Sequence, residues 1–152
     1  MAANKDQIVA ALQKAYTMEL ETVINYLANS IHLDGVRADA IKKALTADIT
    51  GELAHATQIG HRLKQLGSTV PGSLSLKLTQ KALQPPPDTT DVVDVIRGVL
   101  AAENEAIDHY NAIIKLCEGN DYVTQDLAIK LLSDEEGHRQ EFEGYLKEYV
   151  KQ

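Results

Sequence analysis

Tryptophan is absent from this chain of 152 residues, phenylalanine occurs once, and one cysteine, Cys117, stands alone. A single cysteine excludes a disulfide within the chain, a Cys-rich zinc or iron–sulfur site and a Cys-x-x-Cys redox pair. With only seven Phe and Tyr residues, the interior must be built from Leu, Ile, Val and Ala, a composition that suits helices. Positive charge is also scarce. Fifteen basic against 22 acidic residues leave a net charge of −7, which argues against nucleic acid or an anionic membrane as partner and suits a cation-attracting surface. No apolar run approaches the roughly 20 residues of a membrane span, and Met1 to Asp6 opens no signal-peptide core, so the expected compartment is the cytoplasm. The length suits a single domain over residues 1–152 that buries a core without cross-links.

What is present is a repeated motif. Two Glu-x-x-His units occur, Glu52 with His55 and Glu135 with His138, and each follows another glutamate at nearly the same distance: Glu19 lies 33 residues before Glu52, Glu103 lies 32 before Glu135. Tyrosines echo the repeat, Tyr26 seven residues after Glu19 and Tyr110 seven after Glu103. Residues i and i+3 of a helix share a face, so a carboxylate oxygen and an imidazole nitrogen can reach one ion. Four carboxylates and two imidazoles amount to one dinuclear centre.

Periodicity predicts an all-α chain of four long helices at about 4–32, 37–66, 89–117 and 122–150, with a crossover over 68–88. Asp34-Gly35, Gly67 and Gly119-Asn120-Asp121 supply the stops, and Asp88 or Thr89, after Pro85-Pro86-Pro87, is the expected cap of the third helix. Each ligand candidate falls on the apolar stripe of its helix, as in Ile41, Leu45, Ile49, Glu52, His55, Ile59 and Leu63. Glu21 and Glu105 stand about 200° from Glu19 and Glu103 and cannot point the same way. Glu136, His32, His61 and His109 also miss the stripes and are expected at the surface. Short turns make two antiparallel hairpins. The crossover, 21 residues reaching about 70 Å when extended, can span a helix of about 45 Å and set the second and third helices parallel. Within it Leu74, Leu76 and Leu78 alternate with polar residues, a strand-like period whose expected partner is the same segment of a second copy.

Burial argues for metal. Four carboxylates at one level of a dry core each lose several kcal/mol in effective desolvation before any repulsion. Two divalent ions supply four positive charges against them and leave both histidines neutral.

The chain resembles the ferritin-like superfamily of dimetal-carboxylate four-helix bundles, in which two helices each give a Glu and two give Glu-x-x-His. In local sequence it most resembles the bacterioferritins: Glu19-Leu20 with Asn25-Tyr26 is similar to their first-helix motif, and Asp134-Glu135-Glu136-Gly137-His138 to their fourth. The resemblance implies a cytoplasmic di-iron ferroxidase for iron storage or detoxification. Its two irons, for which manganese or zinc could stand in, would be held by Glu19, Glu52, His55, Glu103, Glu135 and His138, with Glu52 and Glu135 bridging and Tyr26 and Tyr110 behind the ligands. The crossover leucines call for an antiparallel homodimer as the basic unit, with Leu76 near its axis, and a cage is one possible larger form. The alternative is a dimetal oxidoreductase, of the rubrerythrin, peroxidase or catalase kind, that needs no shell. Leu53 stands where bacterioferritins carry their haem methionine, so no haem is expected; the lone cysteine leaves no rubredoxin module; and the 14 residues that follow His138 are all helix-like, so the added fifth helix of large cages is not expected.

Overall fold

The computed structural model describes residues 4–151. Four α-helices run over Lys5–His32 (α1), Asp39–Gln65 (α2), Val92–Cys117 (α3) and Tyr122–Tyr149 (α4), each within three residues of its expected bounds. The starts of α1, α3 and α4 are capped by side chains, whereas α2 follows directly on a 3₁₀ turn over Val36–Ala38. Asn4 and Gln7 form a reciprocal capping box on α1, and Asp121 accepts from the Thr124 amide at α4. On α3 the cap is Asp91 rather than Asp88 or Thr89. Asp88 instead accepts from the Thr90 amide and hydroxyl, closing the turn before the helix.

Helices α1 and α2 pack as one hairpin and α3 and α4 as another, with α1 also against α3. The Asp34 amide at the α1–α2 turn donates to the Thr89 carbonyl ahead of α3, so α2 and α3 start at the same end and run parallel. Two apolar layers flank the middle of the bundle. One gathers Leu12, Ile59, Leu63, Ile113 and Leu131; the other gathers Ile41, Leu45, Ile96, Val99 and Phe142.

The crossover is laid along α1 in step with it. Gln13 reaches the Thr69 carbonyl, Glu21 accepts from the Thr79 and Gln80 amides, Asn25 and Thr22 bond the Gln80 side chain, and Asn29 and His32 donate to the carbonyls of Leu83 and Pro86. Glu21 and His32, off the ligand stripe, are therefore clamps for this segment: Glu21 is buried and His32 half-buried. His109 is likewise half-buried, donating to the Ala11 carbonyl at 2.8 Å, while His61 and Glu136 are exposed as expected. Leu83 takes a left-handed φ of 63° over Gly98, where a Cβ would sit 2.7 Å from the Leu83 backbone. Only glycine admits that approach.

The expected strand is corrected. Ser73–Ser75 form a single 3₁₀ turn, and no strand occurs among the described residues. Leu74 and Leu78 point to solvent while Leu76 is half-buried. A second exposed apolar row lies on α1, where Ile24, Leu27 and Ile31 follow one another at helical spacing, with Leu53 exposed on α2.

Candidate metal centre

All six singled-out ligand candidates converge between the two apolar layers. Glu19 comes from α1, Glu52 and His55 from α2, Glu103 from α3, and Glu135 and His138 from α4; every one but His138 is buried. His55 Nδ1 lies 2.8 Å from Glu135 Oε1, 3.3 Å from Glu19 Oε2 and 3.7 Å from Glu52 Oε2. His138 Nδ1 lies 3.1 Å from Glu52 Oε1, 3.8 Å from Glu103 Oε1 and 3.9 Å from Glu135 Oε2. The donor atoms form two overlapping sets, each within 4.8 Å: Glu19, Glu52, His55 and Glu135, then Glu52, Glu103, Glu135 and His138. Glu52 and Glu135 belong to both.

Tyr26 and Tyr110 cross over between hairpins. The Tyr26 hydroxyl donates to Glu103 Oε1 at 2.7 Å and that of Tyr110 to Glu19 Oε1 at 2.5 Å. Each unshared glutamate thus has one oxygen held by a tyrosine while the other faces the centre, Glu19 Oε2 at 3.3 Å from His55 Nδ1 and Glu103 Oε2 without a partner. Burial raises both tyrosines well above their ordinary range, as do the neighbouring carboxylates, so both stay protonated donors.

Sequence reading passed over Asp134. Its Oδ2 lies 2.9 Å from His55 Nε2, so the outer nitrogen carries the proton and Nδ1 faces the carboxylates. The signal was available, since Asp134 directly precedes Glu135 in the quoted motif.

The donor set fits a pair of cations. Glu103 Oε2 is buried with no hydrogen-bond partner, and Glu135 Oε1 and Glu52 Oε1 are met only by the imidazole nitrogens of His55 at 2.8 Å and His138 at 3.1 Å. Buried polar atoms are almost always paired, and lone pairs that converge on a common point without bonding one another are the arrangement a cation satisfies. Absent a cation, protons take its place. Burial raises Glu19, with the Glu52 charge adding, and burial raises Glu135, with the Glu19 charge adding. Burial alone would lower His55, but Glu135, Glu19 and Glu52 hold it far above its ordinary value. Facing Glu103 and Glu52 raises His138 to about 11.

Above the carboxylates is a crevice of about 10 Å³ lined by Met18, Thr22, Gln80, Ala102 and Ala106. That is room for one water-sized molecule. A cleft of about 670 Å³ between α1 and the crossover is larger but touches none of the six residues.

Comparison with known proteins agrees with this fold. The ferritin-like domain family matches residues 9–151. A bacterioferritin of Desulfovibrio desulfuricans is 27% identical over 144 residues, covering 91% of this chain and 75% of that protein. A DNA protection during starvation protein of Pyrococcus furiosus is 26% identical over 145 residues, covering 93% and 77%. Among solved structures, a ferritin-like diiron-carboxylate protein of Bacillus anthracis aligns with a TM-score of 0.83 at 20% identity, over 96% of this chain and 99% of its own. The dodecameric thioferritin of Bacteroides fragilis, a bacterioferritin-related protein, aligns at 0.84 with 23% identity, over 97% and 89%. At those identities the structures speak for the fold, and the family match over nearly the whole length speaks for descent. This chain belongs to the ferritin-like domain family.

Proposed function

We propose that the protein is a di-iron ferroxidase, with Fe(II) as its substrate and Glu19, Glu52, His55, Glu103, Glu135 and His138 as the ligands. The observation that carries this reading is the sharing of Glu52 and Glu135 between two four-residue sets. Each ion then has one unshared glutamate, one histidine and two bridging carboxylates. Four carboxylates balance two divalent charges in a dry core, which offsets much of the desolvation that burial imposes.

Two Fe(II) give up one electron each. O₂ takes both with two protons and leaves as hydrogen peroxide, or peroxide itself takes both and leaves as water. Tyr26 and Tyr110 hold the unshared carboxylates in place, and Asp134 holds His55. Oxidation would add two positive charges that the four carboxylates do not balance, and loss of protons from water at the site would offset them.

The same reading assembles the protein through its exposed apolar row. Ile24, Leu27 and Ile31 on α1, Leu53 on α2 and Leu74 and Leu78 on the crossover are exposed, and a second copy in two-fold contact would cover the α1 row, making the unit of a larger shell. Anaerobic loading with Fe(II), then mixing with O₂ while following ferric absorbance and oxygen uptake, tests the chemistry. Two Fe(II) bound per chain and oxidised support the reading; no binding, or oxidation unchanged in Glu135→Ala, overturns it. Mass in solution beside retained iron distinguishes storage in a shell from turnover without one.

A further inference from the structure

The centre is symmetric in its ligands but not in what stands behind them. The repeat matches Glu19, Glu52 and His55 with Glu103, Glu135 and His138, and it matches the two tyrosine bonds as well. Behind His55 stands Asp134, one residue before Glu135. The equivalent place, one residue before Glu52, is Gly51, which has no side chain to offer His138. No hydrogen bond from a described residue reaches His138 Nε2. Asp48, the nearest acid upstream on α2, leaves its buried Oδ2 unpartnered rather than bonding the ring. Exposure follows the same division: the side chain of His55 is 4% accessible and that of His138 20%.

Packing does not require this glycine. A Cβ at position 51 would meet nothing within 4 Å, and glycine inside a helix costs about 1 kcal/mol relative to alanine. What Gly51 does remove is a carboxylate. An outer carboxylate fixes the imidazole tautomer and ring orientation and strengthens it as a donor, and losing one lowers metal affinity about 10–100-fold.

We infer that the two metal positions are unequal: the position at His55 and Glu19 binds a divalent ion tightly, and the position at His138 and Glu103 binds weakly and exchanges, with Asp134 the positioning residue and Gly51 the cause of the weak side. The inference rests on the ligand assignment proposed above. It gives the centre a direction, since the looser ion sits at the half-exposed histidine between α2 and α4.

Co(II), which has visible absorption and resists oxidation by air at such sites, is the probe. Titrating metal-free full-length protein with Co(II) by calorimetry and absorbance should show two steps whose dissociation constants differ by about tenfold or more. Asp134→Ala should weaken the tight step about tenfold and spare the weak one. His138→Ala should remove the weak step and spare the tight one. Gly51→Asp should tighten the weak step about tenfold, while Gly51→Ala, which shares its helix stabilisation, leaves both steps in place. Asp134 is 59% accessible and position 51 is open, so these variants keep the bundle, which circular dichroism verifies. Two equal steps in the unmodified protein, loss at the weak step in Asp134→Ala, or no tightening in Gly51→Asp overturns the inference. Absence of any Co(II) binding instead overturns the ligand assignment beneath it.

Discussion

Replacing Glu135 with glutamine keeps the volume of a buried side chain common to both four-residue sets and removes its ability to ionise. In the metal-free protein the carboxyl is buried, and burial with the Glu19 charge raises its pKa above the ordinary 4.5. A raised acid binds its proton more tightly in the folded than in the unfolded state. Above about pH 4.5 the folded chain therefore holds more protons, and stability falls as pH rises until the folded pKa is passed. The slope is at most about 1.4 kcal/mol per pH unit for one group. Between pH 5 and pH 7 this carboxyl thus withdraws up to about 2.7 kcal/mol, which glutamine does not. At about 2–4 °C per kcal/mol for a chain of this size, Glu135→Gln should raise the metal-free melting temperature at pH 7 by up to about 10 °C, with little gain at pH 5. With metal the order should reverse. An ion held at a thousandfold excess over its dissociation constant adds about 4 kcal/mol to the unmodified protein, and the variant, one bridge short, should lose most of that. Calorimetric melts with chelator and with Zn(II) at the two pH values decide the matter. A variant less stable than its parent without metal at pH 7, or equally stabilised by Zn(II), would show that Glu135 is packed for the fold rather than for a cation.

Metal binding should release protons, because Glu19, Glu135, His55 and His138 are all raised and must give up protons to become ligands; affinity should fall steadily from pH 8 to pH 5, and binding heats that do not vary with buffer ionisation enthalpy would contradict this. Gly98→Ala should destabilise the protein by about 1–3 kcal/mol despite alanine's better helix propensity, since its Cβ would meet the Leu83 backbone at 2.7 Å; urea melts measure it, and a neutral result would mean the crossover lifts freely. Ile24→Asp with Leu27→Asp should separate the copies in sedimentation velocity without unfolding the helices, and so should Leu76→Asp with Leu78→Asp; assemblies that survive both pairs would place the contact on another face.

Helix number, hairpin pairing and the six converging residues were legible in the sequence because all follow from one local regularity, the 3.6-residue period. A residue's face on a helix is settled by its neighbours within two turns, so Glu19 could be told from Glu21, and Glu135 from Glu136, without any tertiary information. Which residue stands behind a ligand is a different kind of fact. Asp134 belongs to α4 yet bonds a histidine of α2, and Tyr110 of α3 bonds a glutamate of α1; both depend on where one helix lies against another. The crossover shows the limit most plainly. Its alternating leucines read as a strand because period two is all that a segment without helical periodicity displays. Tertiary structure instead fastened it to α1 through Glu21, Asn25, Asn29 and His32, side chains whose partners lie some 55 residues away, where no local pattern can foretell them. The sequence by itself determined the four helices and the six residues that converge; the packing of those helices decided which tyrosine and which aspartate stand behind them and where the crossover is fastened.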